Sequence, residues 1–193
     1  LSNEQPHISK AALSAAFRQL FEAQKNRVFN TALGLVQNRE DAEDITQEVF
    51  VAAYDAFEQF RGEAQLSTWL YRITVNKSLD FIKAKKAKKR FAFIVSIFGE
   101  KGEDKPAVNQ GHFEHPGVVL ENKENAATLF KAIEQLPEQQ KVAFTLAKLE
   151  NLSYAEIAAI MQTSVSSVES LMFRAKQNLQ KTLRDYYQKE FLS

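Results

Sequence analysis

"LSYAEIAAIMQTSVSSVESLMFRAKQNLQKTL", Leu152 to Leu183, decides the fold class. Ser153 followed three residues later by Glu156 has the form of a capping box, in which a hydroxyl and a carboxylate satisfy each other's backbone N–H groups and open a helix. The apolar spacing carries that helix through Met161. A polar turn follows, and Ser164 or Ser166 can cap a longer helix. On that helix Val165, Val168, Met172, Ala175, Leu179 and Leu183 recur at threes and fours, a core stripe. The other side presents Ser167, Ser170, Phe173, Arg174 and Gln177. Short helix, tight turn and longer helix is the helix-turn-helix order. Short hydroxyls and an arginine near the start of the second helix suit the base edges and phosphates of a major groove. The same pattern also fits two amphipathic helices that only pack together.

Upstream, Leu129, Ile133 and Leu136 close one helix before Pro137, whose fixed φ suits the first turn of the next, "PEQQKVAFTLAKLE". The second domain therefore covers about residues 122–190. Before it lies a region unlike the rest. Four of the six glycines and two of the four prolines fall between Gly99 and Gly117, a concentration that breaks helices. A linker is expected over residues 96–121.

The first domain, residues 10–95, reads as helical again. Phe17, Leu20, Phe21, Val28, Ala32 and Leu35 outline a first helix ending near Asn38, with Gln24 as a polar interruption. In "NREDAED", Asn38 and Asp41 make a capping pair, and the acids suit the positive end of a helix macrodipole. The stripe Ile45, Val49, Ala52, Ala53, Ala56, Phe57 follows. The loop "FRGEAQ" ends this helix, and Leu66, Trp69, Leu70, Ile73 and Phe81 form the inner face of a third that runs on into lysines. At that spacing Trp69 reads as core rather than as a stacking platform. The fold expected is all-α: two small helical domains joined by a flexible linker, the second a helix-turn-helix domain.

Charge is partitioned along this frame. The formal net charge is +1, yet residues 1–65 carry 6 basic and 10 acidic side chains while residues 66–98 carry 8 and 1, a local excess of +7. A basic stretch of that density is the footprint expected for a phosphate backbone. It is also what a solvated lysine-rich helix end looks like. There is no cysteine, which removes disulfides and thiolate metal sites and fits a reducing compartment. The longest apolar run, "FAFIVSIF" at Phe91 to Phe98, is far short of the roughly 20 residues that span a bilayer. No signal-peptide pattern opens the sequence, which reads as cytoplasmic.

"DAEDITQEVFVAAY", "FRGEAQLSTWLYRITVNKSLDF" and "LSYAEIAAIMQTSVSSVESLMFRAK", in this order and spacing, resemble bacterial sigma factors of the extracytoplasmic function group. The likeness runs from about Leu13 to Leu183. It implies two helical modules docked on core RNA polymerase, one binding the minus-ten promoter element and the other the minus-thirty-five element. By that resemblance Asp44, Gln47 and Glu48 grip the clamp helices of the polymerase β′ subunit, with further contacts to β. The loop Arg61, Gly62, Glu63, Ala64, Gln65, Leu66 and Thr68 captures an unstacked base of the non-template strand, and Asn76 with Lys77 belongs to the adjoining DNA-reading helix. A shaped pocket stabilises a base pulled from the stack while cations such as Arg72 and Lys77 hold the backbone. Ser166, Ser167, Glu169, Ser170, Phe173 and Arg174 are the minus-thirty-five candidates. Glu169 stands where the family often has a basic residue, and Leu171 replaces a frequent arginine, so the preferred duplex sequence is expected to differ from that of familiar members. The resemblance also implies an anti-sigma factor, often membrane-anchored.

No catalytic constellation accompanies these motifs. The sequence offers no Gly-rich phosphate loop and no nucleophile with a paired base; His112 and His115 sit in the Gly- and Pro-containing segment with no helix to align them as metal ligands. Neither cofactor, metal nor small-molecule substrate is expected. The runner-up is an autonomous helix-turn-helix regulator that binds duplex DNA without polymerase; an adaptor that binds only protein would leave the basic stretch unexplained.

Overall fold

The computed structural model describes residues 10–57, 65–98 and 123–191. They form seven helices: α1 (Lys10–Val36), α2 (Arg39–Phe57), α3 (Leu66–Phe98), α4 (Lys123–Glu134), α5 (Glu138–Lys148), α6 (Tyr154–Met161) and α7 (Val165–Phe191). The loop from Arg61 through Ala64 expected to capture a base, most of the expected linker and both histidines considered above lie outside the described residues.

The first three helices pack on one another. Their shared core holds Leu20, Val28, Ala32, Ile45, Val49 and Leu70, with Phe17, Trp69, Ile73 and Phe81 packed against it. Trp69 thus joins the core, as its spacing indicates. Phe17 and Phe21 meet Phe50 edge-to-face with centroids 6.4 and 4.7 Å apart, the arrangement the ring quadrupole favours. The first helix stops two residues earlier than the sequence suggests, because Gln37 adopts a left-handed φ of 55° and Asn38 turns outward as the cap of α2. Asn38 Oδ1 accepts from the Asp41 N–H at 2.9 Å.

In the C-terminal half, Phe130, Ala132, Ile133 and Leu136 pack on Ala175 and Leu179 of α7. Pro137 stands at the N-cap of α5, immediately before the first turn. The Ser153–Glu156 capping box forms with both bonds present. The Ser153 hydroxyl and the Ser153 N–H both donate to Glu156 Oε2, at 2.6 and 2.8 Å, and hold the Glu156 carboxyl below the usual range. Gln162 closes α6 with φ 53°, a left-handed position where glycine is commoner, and the turn reaches Ser164, whose hydroxyl accepts from the Ser167 N–H at 3.1 Å. Val168, Met172, Ala175 and Leu179 are buried as the stripe requires, whereas Val165 is 44% exposed, being at the first position of the helix before it reaches the core.

The apolar stripes expected within each half do not state how the two halves meet. Leu35 of α1 and Tyr71, Val75 and Leu79 of α3 share one buried cluster with Val142 and Leu146 of α5, Ile157 and Ile160 of α6 and Met172 of α7. The helical halves therefore close on each other through an apolar interface.

Candidate nucleic-acid and polymerase interface

Three surfaces carry the residues singled out in the sequence. The first is on α2. Ile45 and Val49 point into the core, which turns Asp44, Gln47 and Glu48 outward, all exposed. The same strip continues one and two turns on with Val51, 62% exposed, and Tyr54, 43% exposed. Sequence reading missed these two. Their signal was the break in an otherwise polar strip: an apolar residue three positions after Glu48, off the core stripe.

The second surface is the first half of α3. Leu70, Thr74 and Ser78 are buried, leaving Asn76 exposed and Arg72 and Lys77 half-buried. Gln65 is exposed ahead of the helix, and Leu66 and Thr68 are half-buried in its first turn. Neither cation is idle. Lys77 Nζ lies 3.2 Å from Glu48 Oε2, so the two surfaces touch through one ion pair. Arg72 reaches across to the other half of the molecule, where Nε and Nη2 both donate to the Ala159 carbonyl at 3.0 and 2.6 Å. Ala159 is in the last turn of α6, whose carbonyls have no partner within the helix and carry the negative end of its dipole. The guanidinium thus acts as a C-terminal cap on α6. Beside it a cavity of about 180 Å³ opens between α3, α5 and α6, lined by Arg72, Asn76, Gln139 and Gln162 among others.

The third surface is the start of α7. Ser166, Glu169, Ser170, Phe173 and Arg174 are exposed and Ser167 is half-buried. Ser164, Ser166 and Ser167 hydrogen-bond among themselves at 2.9 and 3.1 Å. A shallow recess of about 330 Å³ runs along this face, lined by Ser166, Ser167, Ser170, Leu171 and Arg174 together with Gln139. Gln139 comes from α5, and no spacing rule within α7 could have found it.

A buried polar pair stands behind the second surface. The Tyr71 hydroxyl donates to Glu150 Oε2 at 3.0 Å across the interface between the halves. Glu150 Oε1 is buried without a hydrogen bond within 3.5 Å, and the neighbouring Thr31 hydroxyl donates to the Arg27 carbonyl at 2.8 Å. Burial pushes the Glu150 carboxyl up, partly offset by the Tyr71 bond and the Arg27 charge. Burial, then the Glu150 charge, pushes the Tyr71 phenol up as well. A carboxyl raised in the folded state binds its proton more tightly there than in the unfolded chain. Stability is then greatest where Glu150 is protonated and falls as pH rises from its ordinary value of about 4.3 through its raised one. The variant E150Q keeps an acceptor for Tyr71 and carries no charge. It is expected to melt at higher temperature than the parent near neutral pH, with the gain shrinking toward about pH 4. Equal melting temperatures across that range would show that Glu150 is solvated.

Comparison with known proteins gives the family. Residues 20–88 match the family described as Sigma-70 region 2, and residues 127–179 match Sigma-70, region 4. RNA polymerase sigma-H factor of Pseudomonas aeruginosa is 32% identical over 169 residues, 88% of this chain and 86% of the relative. The ECF RNA polymerase sigma-E factor of Escherichia coli K12 is 37% identical over 137 residues, 71% of each chain. The chain belongs to the extracytoplasmic function group of the sigma-70 family. Among solved structures, the sigma factor RpoE in complex with the anti-sigma factor NepR from Bartonella quintana matches with a TM-score of 0.62 and 23% identity, covering 88% of this chain and 97% of that one. CnrH in complex with the cytosolic domain of CnrY matches with a TM-score of 0.61 and 21% identity over 89% and 90%. Those two likenesses concern the fold. The chain is an RNA polymerase sigma factor: it binds core polymerase and directs it to promoter DNA. No helix among the described residues is long and apolar enough to cross a membrane, and no cluster of potential metal ligands occurs among them.

Proposed function

We propose that this sigma factor divides its work among the three surfaces. The α2 strip of Asp44, Gln47 and Glu48, extended by Val51 and Tyr54, docks on the polymerase clamp: charge fixes the register and the two apolar side chains supply the area removed from water. Residues 61–68 hold the extruded minus-ten base, with Arg72, Asn76 and Lys77 along the single strand. The α7 face of Ser166, Ser167, Glu169, Ser170, Phe173 and Arg174, joined by Gln139, reads the minus-thirty-five duplex. Residues 10–95 and 122–190 act as the two modules, and the intervening segment lets them span the distance between the elements. The observation that carries this reading is the presence, on one chain, of an exposed acidic and apolar helix strip, a cationic helix face and a serine- and arginine-bearing helix-turn-helix face. Polymerase supplies the chemistry, so the chain itself is not an enzyme. It works in the cytoplasm, and the anti-sigma partners of the two solved structures support a partner of that kind for this chain.

The test is run-off transcription with purified bacterial core polymerase. Start sites that depend on the added protein and share two spaced upstream elements are the expected result; duplex binding without any polymerase-dependent start would overturn it. Within that assay R174A is expected to lower affinity for the upstream element by about 10- to 100-fold, the range for losing one good base or phosphate contact, with binding to core polymerase unchanged. Equal activity on templates with and without the element would remove Arg174 from recognition.

A further inference from the structure

The contact between the two halves is apolar at its centre but not throughout. Among the described residues, the buried side-chain atoms that find no hydrogen-bond partner are Gln37 Nε2, Ser78 Oγ, Thr145 Oγ1 and Glu150 Oε1. A buried polar group left unpaired costs free energy, and of these groups only the Glu150 carboxyl can gain or lose a charge near neutral pH. It follows α5 in the C-terminal half and is bonded through its other oxygen, Oε2, to Tyr71 of α3 in the N-terminal half.

The surroundings of Glu150 discriminate between its two protonation states. A carboxylate only accepts, so a buried site suited to the charged form supplies donors to both oxygens. Here Oε2 has the Tyr71 hydroxyl and Oε1 has no donor. Thr31 of α1 stands beside the carboxyl, but its one hydroxyl hydrogen is committed to the Arg27 carbonyl at 2.8 Å. Toward Glu150, Thr31 can therefore only accept. A protonated carboxyl has the hydrogen that such an acceptor needs, and its other oxygen still receives the Tyr71 bond. The charges facing this site are Arg27 of α1, which favours the carboxylate, and Glu156 of α6, which acts on the Tyr71 phenol. Arg27 is exposed and screened by water, so burial prevails and the carboxyl is pushed up.

We propose that Glu150 is a proton-operated latch between the halves: protonated, it bridges Tyr71 and Thr31 and holds the molecule closed; ionised, it lets the halves part. When they part, Tyr71 and Thr31 leave together and water reaches the carboxyl, which then ionises near its ordinary value of about 4.3. The closed form binds the proton more tightly than the open one, so closure weakens as pH rises through the raised value. Two other groups lie where α3 meets α5. The pair of Lys86 with Glu138 needs an ionised carboxylate, and Lys141, buried beside them, has its ammonium pulled down by burial. Both tighten closure as pH rises, so opening in that direction has its source in Glu150. The latch acts on the contact between the halves, whichever surfaces meet polymerase and DNA.

The experiment is energy transfer between two dyes on the full chain. The sequence has no cysteine, so D55C/Q177C places one dye on α2 and one on α7, at exposed positions outside the contact between the halves. Transfer is expected to fall between about pH 5 and about pH 8, the closed-to-open ratio dropping by up to about tenfold per pH unit, the limit for one proton. In E150Q the amide donates to Thr31 and accepts from Tyr71 without a charge, and transfer is expected to stay high throughout. T31V, which removes the acceptor and keeps the shape, is expected to move the midpoint to lower pH. Transfer that does not change with pH in the parent overturns the proposal, as does a change that E150Q retains. Loss of helical circular dichroism in step with transfer also overturns it, since the chain is then unfolding rather than opening.

Discussion

E48K is expected to weaken binding to core polymerase by about 10- to 100-fold and to reduce run-off transcription in proportion, while the protein melts within a few degrees of the parent. Glu48 is exposed on the α2 strip and pairs with Lys77 at 3.2 Å, its side chain 60% accessible. A pair that open to solvent contributes between nothing and about 1 kcal/mol to folding, so its loss has little effect on stability. On the proposed role of the α2 strip, a cation placed among its acidic groups is repelled by the basic side chains they would pair with. The charge swap E48K/K77E separates the two roles. It rebuilds the internal pair but leaves the strip with the wrong sign, and polymerase affinity is expected to stay low. Recovery of affinity in the swap would mean that the internal pair, and not a contact with polymerase, is what matters at Glu48.

The largest effect on stability is expected at Leu146. It is fully buried in the cluster where α5 meets α3 and α6. Truncation to alanine removes the transfer free energy of the lost methyl and methylene groups and leaves a cavity among side chains from several helices, a combination that costs about 2–5 kcal/mol. At roughly 2–4 °C per kcal/mol for a chain of this size, L146A should lower the melting temperature by about 4–20 °C. F173A is the matched control: Phe173 is 63% exposed on the α7 face, and its removal should change stability by less than about 0.5 kcal/mol. A fall in L146A no larger than in F173A would show that the halves do not close on Leu146 in solution.

What could be read in the sequence follows from how local each signal is. The capping box at Ser153, the Asn38 cap and the stripe on α7 depend on residues three or four apart, and each forms as its spacing requires. The family motifs were legible for the same reason, since each is a continuous stretch of sequence. Closure of the halves involves Leu35, Tyr71 and Leu146, which are far apart in the chain, and nothing local specifies it. One signal was available. Tyr71, Val75 and Leu79 recur every four residues on α3, beside the stripe of Leu66, Trp69, Leu70 and Ile73. A helix apolar on two sides has two neighbours. Gln139 and the Tyr71–Glu150 bond remained hidden because polar contacts between distant helices leave no periodic trace.

Arg72 has two calls on one guanidinium. While its Nε and Nη2 donate to the Ala159 carbonyl, they are not available to a phosphate. A promoter strand that needs Arg72 binds only the population in which α6 has let go, and its apparent affinity is the intrinsic affinity multiplied by that fraction. Linkage makes the relation reciprocal: DNA that captures Arg72 drives the halves apart by the same factor. On the proposed role of Arg72, substitutions in α5 and α6 that never approach a nucleotide set the strength of promoter engagement, by changing how often the protein is free to attempt it.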